Sequence, residues 1–98
     1  MPIIGNKTNE ALASTKVKVK TTTTAVVAAN LNRNGLEIVN ESANSIYLQL
    51  GKAAVAEEGL FLAASGGSWN GMVGPMVWTG SVFGLAATAE SNVTVAEV

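Results

Sequence analysis

The 98-residue chain contains no cysteine, no histidine and no aspartate, so all seven of its acidic residues are glutamate. Without cysteine there is no disulfide framework, no thiol nucleophile and no cysteine-based zinc site. Without histidine the commonest general base and metal ligand are missing, and Ser–His–Asp and Cys–His catalysis are excluded within the chain. Charge is also scarce: Asp, Glu, Lys and Arg make up 13 % of the residues, about half the usual fraction, with a formal net charge of −1. No run approaches the roughly 18 consecutive apolar residues of a transmembrane helix, and Met1–Ala13 lacks the basic start and apolar centre of a signal peptide. Three Asn-x-Ser/Thr triplets, at Asn6, Asn40 and Asn92, carry little meaning in a chain with nine Asn and nine Thr. These absences argue against an enzyme and imply no cofactor, no metal, no small-molecule substrate and no membrane.

Apolar residues make up 48 % of the chain, enough for one folded domain. Of these 47 residues 15 are Ala, Val (12) outnumbers Leu (8) and Ile (4), and nine Thr accompany them. Val and Thr suit a pleated, half-buried surface. A core so rich in Ala buries little area per residue, and small domains of this kind are often stabilised by oligomerisation or by docking on a larger body. Low charge fits either an ordinary low-charge extracellular or virion protein, or a surface largely covered by neighbours.

Along the chain, residues 1–15 show no clear period and read as an N-terminal arm broken by Pro2 and Gly5, with Asn9 placed to cap one helical turn over Glu10–Ala13. A single domain over residues 16–98 follows. Lys16-Val17-Lys18-Val19-Lys20 alternates strictly, and Ala25–Ala29 is a second strand. Asn30–Gly35 is a turn cluster. Leu36–Asn40 and Ile46–Leu50 flank a polar loop and read as a hairpin whose Leu and Ile residues share one buried side. Lys52–Glu58 reads as a loop or short turn. Leu60–Ala63, Trp69–Val73, Val77–Thr79, Ser81–Ala86 and Asn92–Ala96 complete the strands. Short strands with turn signals every 8–12 residues or so predict an all-β fold: a compact antiparallel β-sandwich or small barrel of about seven to nine strands.

The candidate functional residues are few. Lys16, Lys18 and Lys20 form the one cluster of charge; they read as protection of an edge strand or as a contact to an acidic partner. With no aromatic residue among them and a net-acidic chain, they are a poor nucleic-acid site. Trp69 and Trp78 are candidates for the core, for a subunit interface or for stacking on a sugar. The Gly-rich stretches Ser65–Ser68 and Gly71–Pro75 match no phosphate-binding loop and read as turns. Glu57-Glu58 is the one adjacent carboxylate pair and reads as solvated loop. Several strands are apolar on both faces: Val39 and Tyr47 lie opposite the Leu/Ile side of the expected hairpin, and Phe61 lies opposite Leu60 and Leu62. Such strands usually have their outer face covered, which predicts a homo-oligomer or a docking interface.

Four runs carry a resemblance. They are Ala28–Arg33 leading to Leu36–Asn40, Ile46–Gly51, Trp78–Ala86 and Asn92–Glu97. From about Thr21 to Val98 the chain resembles small β-sandwich structural proteins of tailed bacteriophages and prophages. The resemblance implies a virion component made in the bacterial cytoplasm, and supplies no catalytic residue. The expected function is a capsid decoration (cement) protein bound to the outside of the major capsid protein shell. The alternatives are a tail, fibre or baseplate module, or, from the two tryptophans, a small carbohydrate-binding module. Pro2, Ile3 and Ile4 of the arm, the three lysines, Val39, Tyr47 and Phe61 are the expected partner contacts.

Overall fold

The structure, a computed structural model, describes residues 13–73 and 76–98. Eight strands follow in order: β1 (Ala13–Val19), β2 (Thr24–Val27), β3 (Gly35–Asn40), β4 (Ile46–Leu50), β5 (Leu60–Leu62), β6 (Ser68–Val73), β7 (Val82–Ala86) and β8 (Ser91–Glu97). All pairings are antiparallel, in two four-stranded sheets: sheet A, in the order β1-β8-β3-β6, and sheet B, in the order β2-β7-β4-β5. The expected all-β architecture is the observed one.

The period-2 patterns decide which side of each strand is buried. In sheet A, Val19, Leu36, Ile38, Val93 and Val95 point inward; in sheet B, Val26, Ile46, Leu48, Leu62, Val82 and Ala86 meet them. Each fully buried Val, Leu or Ile contributes about 1.5–3 kcal/mol. Gly84 lies among them on β7, where a Cβ would stand 3.0 Å from Val26 Cγ2 and 3.4 Å from Leu48 Cδ2. A Cβ there would fit only if Val26 gave way by a few tenths of an ångström, so the core is tightly closed at this inward position of β7.

The expected hairpin of Leu36–Asn40 with Ile46–Leu50 does not form. β3 lies in sheet A and β4 in sheet B. The buried residues are those expected, but they face each other across the core rather than side by side. Asn40 accounts for the crossing. It is fully buried, and its Nδ2 donates to the carbonyls of Asn44, Leu62 and Ala63 at 2.7, 3.2 and 3.1 Å. Its Oδ1 accepts from Ser42 N and Oγ at 3.0 and 2.7 Å. One amide thus fixes the 41–45 connection and ties the end of β3 to β5 in the other sheet.

Three more expectations are corrected. Val77–Thr79 is not a strand; its backbone is held by Trp78 N donating to Gly71 O at 3.0 Å and by Arg33 taking the Trp78 carbonyl at 2.7 Å. With a side chain satisfying the backbone, no ladder is needed. The strand expected over Ala25–Ala29 stops at Val27, and Arg33 Nη2 takes the carbonyl of Ala28 at 2.7 Å. β1 begins at Ala13, paired with Glu97, so Ala13 is extended rather than part of a helical turn. Pro2, Ile3, Ile4 and the remainder of the expected cap and turn at Asn9–Leu12 lie outside the described residues, as do Gly74 and Pro75.

Strand direction sorts the connections between two ends. The links 20–23, 41–45, 63–67 and 87–90 gather at one end. The links 28–34 and 76–81 gather at the other, beside the start of β1 and the close of β8.

Candidate interaction surfaces

The outer side of sheet A is polar. Lys16, Thr94, Val39 and Ser68 form one cross-strand row, Lys18 and Asn92 a second, and Ala96, Glu37 and Asn70 a third. β1 is an edge strand, where lysine blocks sheet-to-sheet pairing. Its lysines are largely matched within the chain: Lys16 Nζ donates to Glu41 Oε1 at 2.8 Å, and Lys18 Nζ lies 3.8 Å from Glu90 Oε1. The Lys16 hydrogen bond holds the Glu41 carboxyl below the usual 4.5. Lys20 is exposed. Val39 is half-buried in this polar row, on the opposite side of the sandwich from Tyr47 and Phe61. The structure therefore does not bring the three together.

The outer side of sheet B carries Phe61, Tyr47 and Leu85 in one cross-strand row, and Gln49, Phe83 and Ala25 in the next. Part of this side is covered by the chain itself. The 51–59 connection leaves β4 where Gly51 N donates to Ser81 O at 2.9 Å. It reaches the β2 edge, where Ala54 N donates to Thr23 Oγ1 at 2.8 Å, and returns to Gly59 against the Leu48 carbonyl, next to β5. Because β2 and β5 are opposite edges, this strap crosses the outer side of the sheet. Ala54 is buried yet lies outside the core between the sheets, and Phe83 and Leu85 are half-buried. Gly59 has φ +90° and a Cβ there would overlap Leu48 O, so the return of the strap requires glycine.

Of the aromatic pair on this side, Tyr47 is half-buried and Phe61 is left exposed. Phe61 is 57 % exposed and Val55, on the strap, 47 %. The rings of Tyr47 and Phe61 are tilted at 56° with centroids 5.6 Å apart, a favourable aromatic geometry that also holds both rings in place.

The end formed by the 28–34 and 76–81 links has a different construction. Arg33, the chain's only arginine, is buried there. It donates through Nε to Glu97 Oε2 at 2.8 Å, through Nη1 to Trp78 O at 2.7 Å and Gly80 O at 3.1 Å, and through Nη2 to Ala28 O. Asn30 N donates to Thr79 O at 2.8 Å, binding the two loops directly. On this braced frame Leu31 is 86 % exposed and Met76 67 %.

Both tryptophans pack against the core. Trp69 is on the inner side of β6, in register with Ile38. Trp78 lies over Gly51 and Gly80, and its Nε1 donates to Ser81 O at 3.0 Å. Both are half-buried, with part of each ring taken up by this packing.

Among the described residues no group of three or more His, Cys, Asp or Glu side chains is placed to hold a metal. A shallow depression lined by Gly35, Leu36, Glu37, Asn70, Ala96 and Val98 contains one ionisable side chain, Glu37. No protein-family model, no curated protein and no solved structure matches the chain.

Sequence reasoning missed Arg33, Asn40, Leu31 and Met76. The one usable signal was Arg33, a single arginine inside a turn cluster. Leu31, flanked by Asn on both sides, read as part of a turn.

Proposed function

We propose that the protein is a non-enzymatic bacteriophage structural protein, a decoration (cement) protein that seats on the outside of the major capsid protein shell and stabilises it. The observation that carries this reading is Phe61, an exposed ring held against half-buried Tyr47 on the outer side of sheet B. Aromatic side chains held in place by packing are efficient docking anchors because little freedom is lost on binding. The low charge and the likeness of Thr21–Val98 to phage β-sandwich proteins support the same reading.

The mechanism is burial repeated over many copies. Covering the exposed part of Phe61 contributes about 1–2 kcal/mol, so one ring cannot hold a copy in place. A contact of roughly 800 Å² per partner is the usual requirement. A copy that bridges two shell subunits opposes their separation, and the effect is multiplied over the particle.

Quantitative mass spectrometry of purified phage particles tests the reading. A copy number comparable to that of the major capsid protein is expected. A copy number typical of a tail or baseplate would move the protein to the tail, and absence from the particle would overturn the virion assignment.

A further inference from the structure

Of the nine asparagines in the chain, two are followed by glycine: Asn34 and Asn70. An asparagine can be attacked at its side-chain carboxamide by the backbone nitrogen of the next residue, and glycine, with no side chain, obstructs that approach least. The structure treats the two sites differently. Asn70 and Gly71 lie inside β6, with Asn70 in register with Glu37 of β3. Gly71 O accepts from Trp78 N at 3.0 Å, and a Cβ on Gly71 would stand 3.0 Å from the Trp69 ring. Swinging the Gly71 nitrogen onto the Asn70 side chain would disturb both the ladder and this packing. Asn34 lies one residue before β3, on the 28–34 loop. It is exposed, and its side chain makes no hydrogen bond to a described residue. The Gly35 nitrogen donates to Val98 O at 3.2 Å, an acceptor it shares with Asn34 N at 2.6 Å. The nucleophile is therefore held by the longer, weaker arm of a shared acceptor, just past the close of β8 at Glu97. Asn44, followed by the small Ser45, is locked: its Nδ2 donates to Ser91 Oγ at 3.2 Å and its Oδ1 accepts from Thr88 Oγ1 at 2.9 Å.

We propose that Asn34 is a self-modification site, at which the folded protein deamidates selectively. The Gly35 nitrogen forms a bond to Asn34 Cγ and gives up its proton, and the carboxamide nitrogen leaves as ammonia. The five-membered succinimide that results is opened by water. Hydrolysis on the side-chain side gives an aspartyl residue; hydrolysis on the main-chain side gives an isoaspartyl residue, with one more carbon in the backbone. No oxidant, reductant or cofactor is needed. Either product places the first aspartate-type carboxylate in a chain that has none, next to Arg33 and its pair with Glu97. The isoaspartyl product also lengthens the backbone between Arg33, which holds three loop carbonyls, and Gly35, which exchanges hydrogen bonds with Val98. The covalent change therefore falls on the junction that braces this end of the sandwich.

The proposal does not rest on the virion reading, because it is tested on the isolated, full-length protein. The protein is incubated at mildly alkaline pH, folded in one sample and unfolded in urea in another. Peptide mapping by mass spectrometry follows the amide-to-acid conversion at each asparagine, and isoaspartyl methyltransferase labels the isoaspartyl product. In the folded sample, conversion at Asn34 should exceed that at Asn70 by at least about tenfold, since opening a loop contact costs less than opening a strand ladder. In urea the two Asn-Gly sites should convert at similar rates. Asn34→Gln should remove the fast conversion from the folded sample. Conversion of the folded protein at Asn70 as fast as at Asn34 would overturn the proposal. So would an Asn34 no more reactive when folded than the asparagines followed by bulky residues. An equal preference for Asn34 in urea would also overturn it, because the selectivity would then come from local sequence and not from the fold.

Discussion

At one end of the sandwich, polar groups are spread over the surface: Lys16 reaches Glu41, Lys18 faces Glu90, and a small network runs from Asn44 to Ser91 and Thr88. At the other end buried Arg33 pairs with part-buried Glu97, and Leu31 and Met76 are left facing solvent. The two ends use the same interaction type to different effect. An ion pair in water is screened and contributes little, so the Lys16 and Lys18 pairs mainly keep an edge soluble and unpaired. A buried arginine whose fork is filled by one carboxylate and three carbonyls cannot be released without leaving several groups unsatisfied. It acts as a brace that converts two loops into a fixed surface.

The largest expected effect that can break this comparison is at Arg33. Arg33→Ala strands Glu97 and the carbonyls of Ala28, Trp78 and Gly80, and should cost about 3–5 kcal/mol in denaturant unfolding. If it costs no more than Lys16→Ala, the two ends do not differ as described. Next is Asn40→Ala, which removes the partner of three carbonyls and of Ser42; a loss of about 2–3 kcal/mol is expected in the same measurement. Much smaller is the Lys18–Glu90 pair, where a double-mutant cycle should give a coupling within about 0.5 kcal/mol. The smallest effect sharpens the comparison through pH. Glu41 is lowered in the folded state, so its contribution is present above the usual value of 4.5 and is lost as pH falls through the lower folded value. Glu41→Gln should remove that component of acid destabilisation, read from unfolding midpoints between neutral and acid pH, and leave neutral-pH stability nearly unchanged.

The strands and their inward residues were legible in the sequence because alternation of Val, Leu and Ile with polar residues is a local signal. Ile38, Leu48, Val93 and Val95 are buried as the alternation predicts. What alternation cannot say is which sheet a strand joins. Leu36–Asn40 and Ile46–Leu50 look the same as a hairpin or as a crossing between sheets, and the choice is made by Asn40, whose partners Leu62 and Ala63 are over twenty residues away. Likewise Val77–Thr79 has the composition of a strand, and a distant arginine turns it into a loop. The outer faces were half legible. Tyr47 and Phe61 were identified as apolar residues on the wrong side of their strands, and they do pair. That the 51–59 strap reaches across to the β2 edge, on the side where Phe83 and Leu85 are half-buried, depends on the hydrogen bond from Ala54 to Thr23, which no periodicity reports.

The central claim is that exposed Phe61, held in place by Tyr47, seats this protein on a larger shell. The direct measurement is the occupancy of phage particles by Phe61→Asp relative to the unaltered protein, with both shown to be equally folded. The account predicts a strong loss of occupancy for Phe61→Asp, together with a lower temperature of particle disruption. Equal occupancy and unchanged particle stability would contradict it.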